Sequence, residues 1–305
     1  MISRHEYRGG VWIDLEQPTE EEMRAISQEF SIGKNIEREI LSPSPAPLVA
    51  VDDGVTLLVF HFPAHGIEDG DAGNQEIDFI VGEHFIVTVR YEVVVPLYHL
   101  KKLLEAQTFD ARQEALTTDV LLEVLFAHLY TSVRDHTNHI ATRLERVEQE
   151  MFNNHERATV RAISNISREF LHVEATLANQ EEPLTRFLKV LSGRKFFDAT
   201  FADRSERILA ERSQVEHLIK TFRAVAAELR ETNAALLESR QNEIMKTLTI
   251  VNFIFLPLGL ISWTFSMRTE GMPIIDSPHA FWIVLGLMFG VTVLLTAFFI
   301  KKRWF

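Results

Sequence analysis

Two uncharged runs, residues 247–267 and 280–300, constrain this chain more than any other feature, because neither carries a single Asp, Glu, Lys, Arg or His. Each is 21 residues long, and about 20 apolar residues rising 1.5 Å apiece are what the hydrocarbon core of a bilayer requires. The sequence therefore predicts two membrane-spanning helices joined by a short loop. The remaining residues are of a different kind. Over the whole chain 46% of residues are hydrophobic and 24% charged, with a mean hydropathy of +0.01, so the apolar hairpin is balanced by a large charged part.

The flanks orient the hairpin. Arg240 and Lys246 precede the first run, and Lys301, Lys302 and Arg303 form a basic collar after the second, whereas the loop between the runs sets Arg268 against Glu270 and Asp276. The positive-inside rule then places both termini in the cytoplasm and the loop outside, as expected for an integral protein of the inner (plasma) membrane. The opening residues, MISRHEYRGGVW, contain no apolar leader segment. Trp263, Trp282 and Trp304 stand near the expected membrane interfaces, where indole is favoured. Gly286 and Gly290 form a small-xxx-small pair that would let helices approach closely.

Within the first run the residues are unevenly polar. Steps of three and four from Asn242 give Met245, Leu248, Asn252, Leu256 and Gly259, a single helical stripe that holds the span's only amide and its only glycine. An amide is costly in hydrocarbon unless it faces protein or water. Two roles fit the stripe: it lines a water-filled path, or Asn252 joins helices by hydrogen bonding.

NEIMKTLTIVNFIFLPLGLIS, residues 242–262, resembles the pore helix of the CorA family of divalent-cation transporters, whose members read close to NEVMKxLTIIxxIFLPLxLIxGxYGMN. The register is ungapped through Asn242, Glu243, Met245, Lys246, Leu248, Thr249, Ile250, Ile254, Phe255, Leu256, Pro257, Leu258 and Ile261. The family's Gly-Met-Asn signature falls on Ser266, Met267 and Arg268, so two of its three positions differ; Glu270 matches the acidic position beyond it. Gly271, Met272 and Pro273, followed by SPHAFWIVLGL, resemble the zinc-transporting ZntB branch. The resemblance implies a funnel-shaped homopentamer that passes zinc, magnesium or cobalt, with the stripe lining the pore and Ser266, Met267, Arg268, Glu270 and Asp276 at its outer mouth. An Arg about 8 Å from such an axis would repel a divalent ion by about 4 kcal/mol at an effective dielectric near 20, so Glu270 and Asp276 are the expected neutralising partners.

The soluble part divides by pattern. Residues 1–112 read as a mixed α/β domain: Thr19 with Glu22 forms a capping-box signature, VTLLVFHFPA and EIDFIVGEHFIVTVRYE read as strands, and Gly82 with Glu83 supplies a hairpin turn. WIDLEQPTEEEM and the HFP at His61, Phe62 and Pro63 also resemble the cytoplasmic domain of CorA-like proteins. Residues 113–245 read as a helical hairpin and a long stalk. One helix ends near Asn153, a second runs back to Pro183, and no glycine or proline then occurs from 194 to 256. A stalk of about 60 residues would be roughly 90 Å long. Its seam through Ile208, Val215, Ile219, Phe222, Val225, Leu229, Leu236 and Met245 requires neighbours, both within the chain and from other copies. Residues 246–305 form the transmembrane hairpin.

Other candidates are weaker. His136 and His139 lie one turn apart beside Asp135, which suits either zinc or a solvated face. The resemblance implies magnesium-sensing carboxylates on the stalk, yet those positions fall on Arg207 and Ala210, with Asp203 and Glu206 nearby. Cysteine is absent, which excludes disulfides and thiolate metal sites, and no phosphate loop, nucleophile elbow or HExxH occurs, so no enzyme chemistry or cofactor is expected. A net charge of -12 argues against nucleic acid and favours cations as partners. Three classes stand: a divalent-cation transporter or channel, a protein on the same scaffold with altered or lost selectivity because the motif is changed, and a coiled-coil membrane anchor that would not need the polar stripe.

Overall fold

Two separate units make up the computed structural model, Met1–Arg230 and Glu231–Phe305, and the division falls inside one long helix. The structure describes every residue except 1, 8, 65–72, 108–115, 154–155, 198, 268–278 and 303–305, and omits the side chains of 105–107 and 156–157.

The first unit is built on a six-stranded sheet in the order β1-β2-β6-β5-β4-β3, comprising β1 Ile2–Tyr7, β2 Gly10–Glu16, β3 Leu48–Asp52, β4 Val55–Pro63, β5 Asn74–Val81 and β6 Phe85–Arg90. All pairings are antiparallel except that of β2 with β6. Every residue of β4 but His61 is buried, which follows from helices covering both faces. On one face Leu57, Val59, Ile80, Val87 and Val89 pack with Met23 and Ile26 of α1 (Glu20–Glu29) and Ile36 of α2 (Lys34–Glu39). On the other, Phe60 and Phe79 meet Phe126 with ring centroids 5.9 and 4.9 Å apart, and Phe62 meets Tyr130 at 5.9 Å. Thr19 and Glu22 form the capping box that opens α1, as expected. Gly82 N–H donates to Phe85 O at 3.0 Å and closes the β5–β6 hairpin, also as expected.

Four elements were not anticipated by pattern: β1, α2, β3 and α3 (Val95–Gln107). Each has few apolar residues or a proline at its start, and the two strands stand at the sheet's edges, where tertiary pairing decides. Arg90 is buried in the sheet, where it holds Asp14 at 2.9 Å and Glu16 at 2.5 Å, while Thr88 donates to Asp14 at 2.8 Å.

α4 (Thr118–Phe152) and α5 (Glu156–Ser192) form the helical hairpin. The sequence reading ended its second helix at Pro183, and the structure corrects this: α5 continues through Pro183 for nine further residues. Burial of Leu184, Phe187, Leu188 and Leu191 offsets the missing hydrogen bond. α6 then runs from Thr200 to Ser266 without interruption. In the first unit its seam is buried at Ile208, Val215, Ile219 and Leu229, and Phe222 stacks on Phe170 at 6.0 Å, whereas Val225 is exposed and Ala226 takes the buried position instead. Arg212 is buried against α5, donating to Leu177 O at 2.9 Å and pairing with Glu181 at 3.2 Å and Glu216 at 3.1 Å.

Candidate pore-lining face

The second unit contains the end of α6 and α7 (Ala280–Lys301), which are, among the described residues, the two helices long and apolar enough to cross a membrane. α6 ends one residue before the end of the first expected run, and α7 spans the second with one residue more.

Burial separates the two sides of α6. Ile250 is 5% exposed, and Ile254, Pro257, Ile261 and Phe265, which follow it at three-four spacing, are half-buried. Val284, Met288, Val291, Leu295 and Phe299 make the matching stripe on α7, and Phe253 meets Phe299 edge-on at 6.2 Å, so these faces mark where the helices pack. The expected stripe lies half a turn away. Asn242, Met245, Leu248, Asn252 and Leu256 are all exposed, Leu256 at 71%, and Gly259 is half-buried. A 100° advance per residue places the centre of this stripe roughly 180° from the Ile250 face.

The polar groups of the span differ in what they need. Thr247, Thr249 and Thr264 return their hydroxyl protons to the carbonyls of Glu243, Met245 and Leu260 at 3.0, 2.7 and 2.7 Å, and are satisfied within the helix. The Asn252 carboxamide makes no hydrogen bond among the described residues. An amide left uncovered at membrane depth must find water, an ion's hydration shell or another copy of the chain.

Gly286 and Gly290 are exposed, and a Cβ added at either would meet nothing within 4 Å among the described residues. They therefore do not set the approach of α6 to α7. A side chain at Gly259 would touch only the indole of Trp263, at 4.0 Å. Of the basic collar, Lys301 and Lys302 are exposed, and the Lys302 ammonium lies 5.6 Å from the centre of the Phe298 ring. Ser266 and Met267 end the described part of the mouth, both exposed, while Arg268, Glu270, Asp276 and Arg303 lie outside the described residues.

In the first unit, the stalk positions where sensing carboxylates were implied are differently engaged. Arg207 donates to Glu123 at 2.5 and 3.1 Å, and Arg204 reaches both Asp119 and Glu123 at 2.7 Å. Hydrogen bonding from Arg207, followed by that from Arg204, holds the Glu123 carboxyl below its usual range. Ala210, Asp203 and Glu206 are exposed. No group of three His, Cys, Asp or Glu side chains able to hold a metal occurs among the described residues, so His136 and His139 gain no third ligand there. Sequence reasoning missed the packed faces of the hairpin and the pairing of Arg207 with a residue 84 positions away.

The chain is similar over its whole length to known transporters. It is 21% identical to the cobalt/magnesium transport protein CorA of Methanocaldococcus jannaschii, over 99% of this chain and 93% of that protein. The complete structure of the CorA magnesium transporter from Methanocaldococcus jannaschii superposes with a TM-score of 0.81 at 20% identity, covering 100% of this chain and 94% of that one. The ZntB cytoplasmic domain from Vibrio parahaemolyticus shares the fold of the soluble part, with a TM-score of 0.60 at 10% identity over 76% of this chain and 89% of that one. The family model described as CorA-like Mg2+ transporter protein matches residues 7–303, and the chain belongs to that family.

Proposed function

We infer that the uncovered stripe of α6, Asn242, Met245, Leu248, Asn252, Leu256 and Gly259, lines a conduction path for divalent cations at the centre of a homo-oligomer, most simply a pentamer. The observation that carries this reading is the unpartnered Asn252 amide on the face opposite the one α7 covers. Amide oxygens and backbone carbonyls suit an ion that keeps its water, as magnesium does. The CorA relative named for cobalt and magnesium transport, and the resemblance of the loop to the zinc branch, support magnesium, cobalt or zinc as the cargo. The acidic balance of the chain favours cation accumulation near the membrane, and the basic flanks favour cytoplasmic termini.

A second reading has its own observation. Ser266-Met267-Arg268 stands where the resemblance calls for Gly-Met-Asn, so the mouth is built for altered or lost selectivity. Flux into liposomes containing only this protein, measured for magnesium, cobalt, zinc and potassium with and without a pH gradient, separates the two. Divalent entry supports the first reading; potassium entry without divalent entry supports the second. A stable monomer, by mass of the detergent-solubilised protein, contradicts the shared pore altogether.

A further inference from the structure

The connection from α2 to β3, residues 41–47, reads Leu-Ser-Pro-Ser-Pro-Ala-Pro. Prolines at 43, 45 and 47 remove alternate N–H donors, so this segment cannot add to the sheet as a strand. Side chains fasten it instead. Ser44 N–H donates to both oxygens of Glu76 at 3.0 and 2.8 Å, Ser44 O meets His61 Nε2 at 3.0 Å, and the Tyr91 hydroxyl donates to Ile40 O at 2.9 Å.

Those anchors converge on a buried acid. Glu76 and Asp78 are two apart on β5 and so share a face. Asp78 is fully buried, the Tyr91 hydroxyl reaches its Oδ2 at 3.1 Å, and its Oδ1 has no hydrogen-bond partner among the described residues. Among the described residues no Arg or Lys pairs with either acid; His61, 3.4 Å from Glu76, is the one basic contact. Two neighbouring buried carboxylates without a cation do not both ionise, and a proton kept on Asp78 spares its partnerless Oδ1 a buried charge. Burial first, and then the charge of Glu76, push the Asp78 carboxyl well above the usual carboxylate range.

We propose that residues 41–47 form a strap latched by a proton that Asp78 holds against Glu76, and that loss of this proton releases the strap from the sheet. Pro45, Ala46 and Pro47 wall one side of a cleft of about 440 Å³, opposite Thr176, Asn179 and Pro183 of α5, so release widens this cleft. The groups facing the latch are His61 from β4, Glu76 from β5 and Tyr91 beyond β6, with Glu182 of α5 across the cleft. The strap itself has no titratable side chain, and Lys34, Glu37, Arg38 and Glu39 of α2 make no bond to either acid among the described residues. Because the folded state binds the Asp78 proton more tightly than an unfolded chain would, the latch holds at low pH and weakens as pH rises through the raised range of this carboxyl.

Hydrogen exchange of the full-length protein in detergent, corrected for intrinsic base catalysis, tests this between about pH 6 and pH 10. Protection of the strap amides is expected to fall at least about tenfold with rising pH in the wild type and to stay constant in Asp78→Asn, whose carboxamide donates to Glu76 without ionising. Equal pH dependence in both proteins overturns the proposal. Infrared spectroscopy of the wild type needs no variant: a carbonyl stretch of a buried protonated carboxylic acid should be present where the strap is protected and vanish as the strap loosens. Its absence while the strap is protected, or its persistence through loosening, overturns the proposal as well.

Discussion

The two units of this chain bury their apolar residues by opposite rules. In Met1–Arg230 the large side chains close on one another: Trp12, Phe60, Phe79, Phe126, Phe187 and Tyr130 are all fully buried, and Asp14 and Arg90 are buried as a pair. In Glu231–Phe305 Phe255, Trp263, Phe281, Phe289 and Leu294 are exposed, and only Ile250 and Phe299 among the described hydrophobic residues of the hairpin are buried. The first unit closes a core within one chain. In the proposed reading the second is completed by lipid on most of its surface and, along the Asn252 stripe, by water or further copies. The same apolar substitution should therefore have different consequences in the two units.

The largest effects should come from the first unit. Phe126→Ala removes a ring that meets Phe60, Phe79 and Phe187, and should cost about 3–5 kcal/mol, read by denaturant unfolding of the soluble part in the intact detergent-solubilised protein. Arg90→Met, which strands Asp14 in the sheet, should cost a similar amount, about 3–5 kcal/mol. Loss of less than about 1 kcal/mol in either would show that the sheet's core is not closed as described.

In the second unit function should respond before stability does. Asn252→Leu is expected to reduce divalent flux at least about tenfold, near 1.4 kcal/mol in barrier, with unfolding unchanged. At the mouth, Glu270→Ala should lower divalent flux several-fold, and Arg268→Asn should preserve or raise it, both effects shrinking in high salt as exposed charges are screened. Equal flux in wild type and both variants would show that this charge does not control entry. The smallest effect should be Gly286→Ala, whose added Cβ has nothing within 4 Å among the described residues; hairpin stability should change by less than about 0.5 kcal/mol. A drop in oligomer mass in that variant would place a contact between copies at the glycine pair.

What was readable in advance follows from how local each signal is. Uninterrupted apolarity, the Thr19–Glu22 box, the Gly82 turn and the break after Phe152 each depend on a few neighbouring residues, and all reappear in the structure. The edge strands β1 and β3, the passage of α5 through Pro183 and the pairing of Arg207 with Glu123 depend on residues far away in sequence. The polar stripe was legible as a helical face, because spacing alone fixes it. That this face is the one α7 leaves bare was not legible, because the packed stripe of α7 is as apolar as its lipid side.

The most direct measurement is thiol accessibility along α6 in membranes. The chain has no cysteine, so each single cysteine from 242 to 259 reports its own contact with water. Modification by a charged aqueous reagent should peak at Asn242, Met245, Leu248, Asn252, Leu256 and Gly259 and be slowed by the permeant divalent ion. Peaks at Ile250, Phe253 and Ile254 instead, or uniform protection along the helix, would contradict a water-filled path on the Asn252 face.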